Sequence, residues 1–163
     1  MIHGPPGLSS RPTIGRVRET LFSMLQEEVK GATMLDLFAG VGTVGIEALS
    51  RGASKAVFVE SNPKILRILK RNLLSISPST RWEILRADAK RAHRLNSLKS
   101  QRFNIIFCDP PYPLLDFSIV ENYLELLETG GVMVVQHPKE NSPQGASLTR
   151  VVGDNALSFW RKE

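Results

Sequence analysis

The tetrapeptide Asp109-Pro110-Pro111-Tyr112 gathers groups that could do chemistry. Asp109 offers carboxylate acceptors. Pro110 and Pro111 lack N–H groups and have a fixed φ, so the turn is stiff and presents carbonyl oxygens. Tyr112 adds a flat ring. Two acceptors beside a ring suit a planar group that bears an exocyclic NH2. The Asp109 carboxylate and the Pro110 carbonyl would take the two amine hydrogens while Tyr112 stacks on the plane. The nitrogen lone pair then points outward, toward an electrophile. Taken alone, the same letters also describe a proline-rich loop leaving a strand, with aspartate as a turn residue.

Three further acids share the phase of Asp109. Each falls within or just after an apolar run: Asp36 in Met34–Phe38, Glu60 closing Lys55–Glu60, and Asp88 after Trp82–Arg86. Asp109 follows Phe103–Cys108. Strands of a parallel sheet are buried on both faces and read as near-continuous apolar runs. Open α/β sheets bind ligands at the carboxyl edge of their strands. Acids phased with strands therefore converge on one edge, whereas acids scattered over a surface would not.

A glycine-rich stretch leads out of the first run. Gly40-Val41-Gly42-Thr43-Val44-Gly45 matches G-x-G-x-x-G, and Glu60 lies 20 residues beyond Gly40. Those letters also fit a dinucleotide site. Three features argue against NAD. Asp36 would repel a pyrophosphate but attract a ligand carrying an ammonium and a sulfonium. Phe38 and Ala39 intervene before the first glycine and lengthen the loop. A chain of 163 residues leaves little room for a separate substrate domain. S-adenosylmethionine fits better. Asp36 would lie near its amino-acid end, with Gly40 and Gly42 letting backbone approach, and Phe38, Ala39 and Asp109 are further candidate cofactor contacts. Glu60, followed by Ser61, would accept from the ribose hydroxyls, and Asp88 with Ala89 would reach the adenine edge. The competing readings are a helix cap for Asp88 and a surface acid for Glu60.

The elements that carry these residues alternate between strand and helix. Val17, Leu21, Met24 and Leu25 recur at helical spacing, which predicts an amphipathic, arginine-rich helix over 15–30 with Thr13 as its N-cap and Gly31 as its stop. Asn62 and Pro63 read as the cap and first position of a second basic helix. Asp88 is expected to open another basic helix, and a helix over 115–127 should stop at Gly130-Gly131. Leu148–Val152 and Leu157–Trp160 flank Gly153-Asp154-Asn155 and read as a closing hairpin. The expected architecture is a three-layer, doubly wound α/β fold. Its mostly parallel seven-stranded sheet would end in an antiparallel hairpin. Residues 11–163 would form one domain behind a flexible 1–10 segment.

Charge and composition narrow the partners. The chain carries a formal +5. Between Lys64 and Arg102 there are eleven Lys or Arg and two acids, Glu83 and Asp88. Such a basic stretch fits a polyanion, although a solvated surface rich in lysine and arginine reads the same way. Arg11, Thr13, Arg16, Arg18, Lys64, Arg67 and Arg71 are the candidate nucleic-acid contacts. The single Cys108 excludes an intramolecular disulfide framework and fits a reducing compartment. No apolar run approaches the roughly 20 residues that span a bilayer, and Met1–Ser10 lacks the apolar core of a signal peptide. A cytoplasmic location is expected, without membrane contact. His3, His93 and His137 are scattered, so no metal site is expected.

The Arg11-Pro12-Thr13 and Arg16-Val17-Arg18-Glu19-Thr20-Leu21-Phe22 stretches, with Leu35-Asp36-Leu37-Phe38-Ala39-Gly40-Val41-Gly42, Glu47-Ala48-Leu49-Ser50-Arg51-Gly52 and Asp109-Pro110-Pro111-Tyr112, resemble the RsmD family. The likeness runs from about Arg11 to the C-terminus, and its arginine-rich first part is the specific one. It implies an S-adenosylmethionine-dependent enzyme that methylates the N2 amine of a guanine in 16S ribosomal RNA. It also implies 16S RNA or a small-subunit assembly intermediate as the partner; Asp109, Pro110 and Tyr112 are the expected catalytic set, and a monomer is expected. The Asp-Pro-Pro-Tyr motif alone is shared with amino methyltransferases acting on other RNA, DNA or protein glutamine. Family members usually carry a further segment before the Arg-Pro-Thr motif. Here ten residues precede it, so a shortened form or a reduced RNA grip is expected.

Overall fold

A computed structural model describes residues 12–76, 78–141 and 143–163. Arg11 and the expected flexible 1–10 segment lie outside the described residues. Seven strands form one sheet: β1 (Thr33–Leu37), β2 (Lys55–Glu60), β3 (Trp82–Arg86), β4 (Phe103–Cys108), β5 (Leu127–Pro138), β6 (Leu148–Val152) and β7 (Asn155–Arg161). Their order is β3-β2-β1-β4-β5-β7-β6. The first five run parallel, while β7 pairs antiparallel with both β5 and β6. The doubly wound sheet with a closing hairpin is as the sequence indicates.

Alternation along the strands shows why they read as continuous apolar runs. In β1, Met34 packs with residues of the first helix while Leu35 and Leu37 pack on the opposite face. In β4, Ile105 and Phe107 go one way and Ile106 and Cys108 the other. Helices α1 (Pro12–Leu25), α2 (Thr43–Ser50) and α3 (Pro63–Ile76) cover one face through Val17, Leu21, Ile46, Leu69 and Leu73. The short α4 (Asn96–Lys99) and α5 (Ser118–Leu124) cover the other through Leu98, Ile119, Val120 and Tyr123. No helix among the described residues is long and apolar enough to cross a membrane.

Several element boundaries differ from the sequence expectation. The first helix begins at Pro12, because proline is tolerated at the start of a helix. Thr13 is therefore inside the first turn, and its expected capping position is corrected. Gln26 has φ 46°, which ends α1, and residues Gln26–Val29 continue as a 3-10 turn. The expected basic helix from Asp88 is instead a run of turns leading to a 3-10 turn at Ala92–Arg94 and then α4. Asp88 holds those turns by accepting from Lys90 N (3.0 Å) with its carboxylate and from Arg91 N and Ala92 N with its carbonyl. The expected 115–127 helix shrinks to α5, and Leu127 already belongs to β5.

Gly130-Gly131 is not a helix stop. Both lie within β5, and a Cβ on Gly131 would stand 2.8 Å from the Glu128 carbonyl oxygen and 3.0 Å from that of Asn104. The glycine permits a close backbone approach where the β4–β5 register shifts. The Asn62 cap is as expected: its Oδ1 accepts from Lys64 N at 2.9 Å and Ile65 N at 3.4 Å, with Pro63 opening α3.

The third glycine of the loop motif has a packing duty. A Cβ on Gly45 would lie 2.4 Å from Phe58 Cε1 and 3.1 Å from Asp36 Oδ2. Only a bare Cα lets α2 sit this close to the sheet. Gly45→Ala should push α2 outward and destabilise the fold by about 1–3 kcal/mol. An unchanged urea midpoint in that variant would contradict the packing described.

Candidate active site

β1 and β4 are hydrogen-bonded neighbours in register, Leu37 opposite Cys108. Chain order reverses direction across the sheet at this pair: β2 and β3 lie to one side, β5 to the other. A crevice opens beyond the carboxyl ends of strands at such a reversal. Here it is a cleft of about 750 Å3. Asp36, Phe38, Ala39 and Gly40 line it from β1, and Asp109, Pro110, Pro111 and Tyr112 line it from β4. Val17, Arg18 and Leu21 of α1 wall one side, and Gln136, Asp154 and Asn155 wall another.

The glycine loop is shaped by left-handed backbone. Phe38 has φ 56° and Gly40 φ 59°. A Cβ on Gly40 would meet no atom within 4 Å, so here glycine serves the turn and keeps the cleft clear. Phe38 takes the same conformation with a full side chain, an unusual state that clusters at functional sites. Gly42 is different. It lies outside the cleft lining, and a Cβ there would stand 2.5 Å from Leu69 Cδ1, so its bareness makes room for α3.

Glu60 staples this loop. Its Oε1 accepts from Gly40 N, and its Oε2 accepts from Ser61 N and Asn62 N, each at 2.9 Å. A carboxylate has about four acceptor positions, so Glu60, which with Ser61 lies outside the cleft lining but is bonded to Gly40 within it, retains capacity for a ligand hydroxyl. Asp36 is buried and accepts from Gly45 N in the first turn of α2 at 3.1 Å. Burial nonetheless raises its pKa well above the usual carboxylate value, with the charges of Asp109 and Glu60 adding to the effect.

Asp109 reaches water at the cleft mouth. Protein atoms crowd it on its remaining sides, and that desolvation pushes its pKa up to about 7. Tyr112 stands on the rim with 54% of its surface exposed, its phenol pKa raised by desolvation and by the nearby charges of Asp109, Asp154 and Glu140. Pro110 is buried and lines both the main cleft and a smaller cavity of about 140 Å3.

The remaining sequence candidates fall elsewhere. Asp88 and Ala89 are outside the main cleft; Asp88 is exposed, and the buried Ala89 offers its carbonyl to the Tyr123 hydroxyl. Arg18 lines the cleft but donates Nε to Glu47 at 2.7 Å, and Glu47 also takes Arg51 at 2.7 Å. That pairing ties α1 to α2. Arg16, Lys64, Arg67, Lys70 and Arg71 are exposed. Arg11 and the Thr13 side chain lie outside the described residues. Among the described residues, no group of three His, Cys, Asp or Glu could hold a metal ion. Gln136, Asp154 and Asn155 carry no signal in the sequence that would mark them as cleft residues. Asp154 and Asn155 read as part of a turn, and the pairing of β7 with β5 brings them to the cleft, while that of β5 with β4 brings Gln136.

Residues 1–160 match the family described as Conserved hypothetical protein 95. The chain belongs to this family. It is the RsmD family that the sequence resembles. The Escherichia coli K12 protein named Ribosomal RNA small subunit methyltransferase D is 34% identical over 170 residues, covering 97% of this chain and 81% of that one. A solved Thermus thermophilus protein of hypothetical function superposes with a TM-score of 0.84 at 30% identity, covering 99% of this chain and 92% of the other. An RNA methyltransferase from Salinibacter ruber, solved with S-adenosyl-L-homocysteine, shares the fold: TM-score 0.72 at 13% identity, over 96% of this chain and 95% of that one.

Asp109 gives the cleft a pH signature. Its folded pKa of about 7 lies above the roughly 3.9 of an unfolded aspartate. The folded state therefore holds an extra proton between those values, and stability falls as pH rises through the window. Asp109→Asn removes this titration. Solvent at the exposed side of Asp109 screens part of this effect, so the gain in melting temperature over the parent should be about 2–4 °C larger at pH 8 than at pH 5, the shift that about 1 kcal/mol produces at this size. A gain independent of pH would place Asp109 in an ordinary aqueous environment.

Proposed function

We propose that the chain transfers a methyl group from S-adenosylmethionine to the exocyclic N2 amine of a guanine in 16S ribosomal RNA. The observation that carries this reading is the shared cleft. The acceptor-rich Asp109-Pro110 turn, the open Tyr112 ring and the glycine loop all meet at the β1–β4 crevice.

The residues present fit this cofactor. Gly40 leaves open space beside the loop. The raised pKa values of Asp36 and Asp109 mark negative charge short of compensation, which suits an ammonium and a sulfonium and opposes a pyrophosphate. The volume of about 750 Å3 is within the usual range for small-molecule pockets, roughly 300–1,000 Å3. Asp36, Phe38, Ala39 and Gly40 would hold the amino-acid end and Glu60 and Ser61, beside the Gly40 loop, the ribose, while Asp88 and Ala89, outside this cleft, would meet the adenine where it extends past the cleft toward β3. When bound, the cofactor supplies a methyl carbon activated by its sulfonium.

The chain's own groups do the rest. The guanine leaves its stack to reach the pocket, as bases modified by enzymes do. Tyr112 stacks on it, a contact of roughly 1–3 kcal/mol. The Asp109 carboxylate and the Pro110 carbonyl accept the amine hydrogens and turn the nitrogen lone pair toward the methyl carbon. The C–N bond forms as the C–S bond breaks, and the nitrogen sheds one proton. Asp109, with its raised pKa, is suited to take that proton. Alignment of the reacting atoms can supply roughly 7–11 kcal/mol. The exposed Lys64, Arg67 and Arg71 on α3 provide a phosphate-binding face.

Asp109→Ala should lower methyl transfer by about 100-fold to 10,000-fold, a loss much larger than any weakening of cofactor affinity read by calorimetry. Normal turnover would remove Asp109 from the mechanism. Parallel assays on naked small-subunit RNA, assembled subunits and DNA identify the substrate, and methylation of DNA alone would overturn the RNA assignment. Replacing Lys64, Arg67 and Arg71 together should weaken RNA binding and flatten its dependence on salt by a slope of up to about 3. An unaltered slope would make that face ordinary surface.

A further inference from the structure

The open ring of Tyr112 does not stand alone. Its hydroxyl donates to Oδ1 of Asn155, 43 residues further along the chain. Asn155 is the first residue of β7, opposite Pro138 of β5 and Val152 of β6. It follows a two-residue turn, Gly153-Asp154, in which Gly153 has φ 62°.

That turn is anchored to the sheet. Lys139 N donates to the Asp154 carbonyl at 3.0 Å, and Lys139 Nζ reaches Asp154 Oδ1 at 3.5 Å. Just beneath, the buried His137 joins Ser158 Oγ through Nε2 at 2.7 Å and the Pro138 carbonyl through Nδ1 at 2.8 Å. Phe117 meets the His137 ring edge-on at 5.3 Å. Asn155 thus sits on a firm support, while Tyr112 opens a short 3-10 turn, Tyr112–Leu114, at the cleft rim. A hydrogen bond between two side chains that both reach water adds little to the net stability of a fold. What it removes is freedom of the ring.

We propose that Asn155 is a positioning residue for the methyl transfer. It holds the Tyr112 ring across the cleft mouth as a preformed platform, so the target base meets an ordered surface rather than a mobile one. The inference rests on the reading of Tyr112 as the base platform and adds the group that orders it.

A mutant cycle tests it. Tyr112→Phe keeps the ring and removes the bond from one side; Asn155→Ala removes it from the other. Each should lower kcat/KM for small-subunit RNA by about fivefold to tenfold, the scale of one lost hydrogen bond. Cofactor affinity should stay at its parent value, and the melting temperature should fall by at most about 2–4 °C. The double variant should be no worse than either single one, because both remove the same contact. Tyr112→Ala should fall much further. Asn155→Ala within about twofold of the parent, or a double variant whose losses multiply, would overturn the positioning role provided Tyr112→Ala is crippled. A harmless Tyr112→Ala would overturn the platform reading itself.

Discussion

Three carboxylates crowd one end of a hydrophobic sheet. Asp36 is buried, Glu60 accepts from three backbone amides, and Asp109 stands in a crowded cleft mouth. The last two raise the cost of charging Asp36. Arg18, the cation in the cleft wall, is already held by Glu47. The cleft is thus poised for a positively charged ligand, and its shape follows from where strands β1 and β4 end. Negative charge that would trouble a purely structural edge becomes attraction once a cation arrives.

The sheet makes this arrangement possible by being dry and stiff elsewhere. Apolar side chains alternate onto two helical layers, so β1, β2, β4 and β5 are covered on both faces. Their ends are then the places where the chain can turn and expose polar groups. The reversal of chain order between β1 and β4 leaves a crevice there without any special loop having to create it. Strands stand about 4.8 Å apart, so Asp36 and Asp109, on adjacent strands, meet in one cleft. Asp88, after β3, is two strands from β1 and falls outside it.

Local chemistry explains which parts of this were legible in the letters. Strands β1, β2 and β4 read correctly because burial on both faces demands near-continuous apolar runs. Asn62-Pro63 read correctly because a cap and a proline at the first helical position act within three residues. The misread boundaries share a different cause. Gly130-Gly131 looked like a helix stop, yet both glycines sit in β5, where Gly131 permits a close approach to the Asn104 carbonyl oxygen more than 20 residues away. The basic run after Asp88 looked helical, yet Asp88 spends its carboxylate and carbonyl on the next turns, and backbone geometry is extended again at Leu95.

The sequence by itself determined the strand–helix alternation, the glycine loop and the placing of acids at strand ends. Each of those depends on a residue's own backbone preference and on burial of its immediate neighbours. Only the tertiary structure decided that Arg18 belongs to Glu47, that Gly42 clears space for Leu69, and that Asn155 reaches Tyr112. These partners lie about 27 to 43 positions apart in the chain. Chain spacing carries no trace of such contacts, because they arise from how the sheet orders its strands and how the helices lie across it.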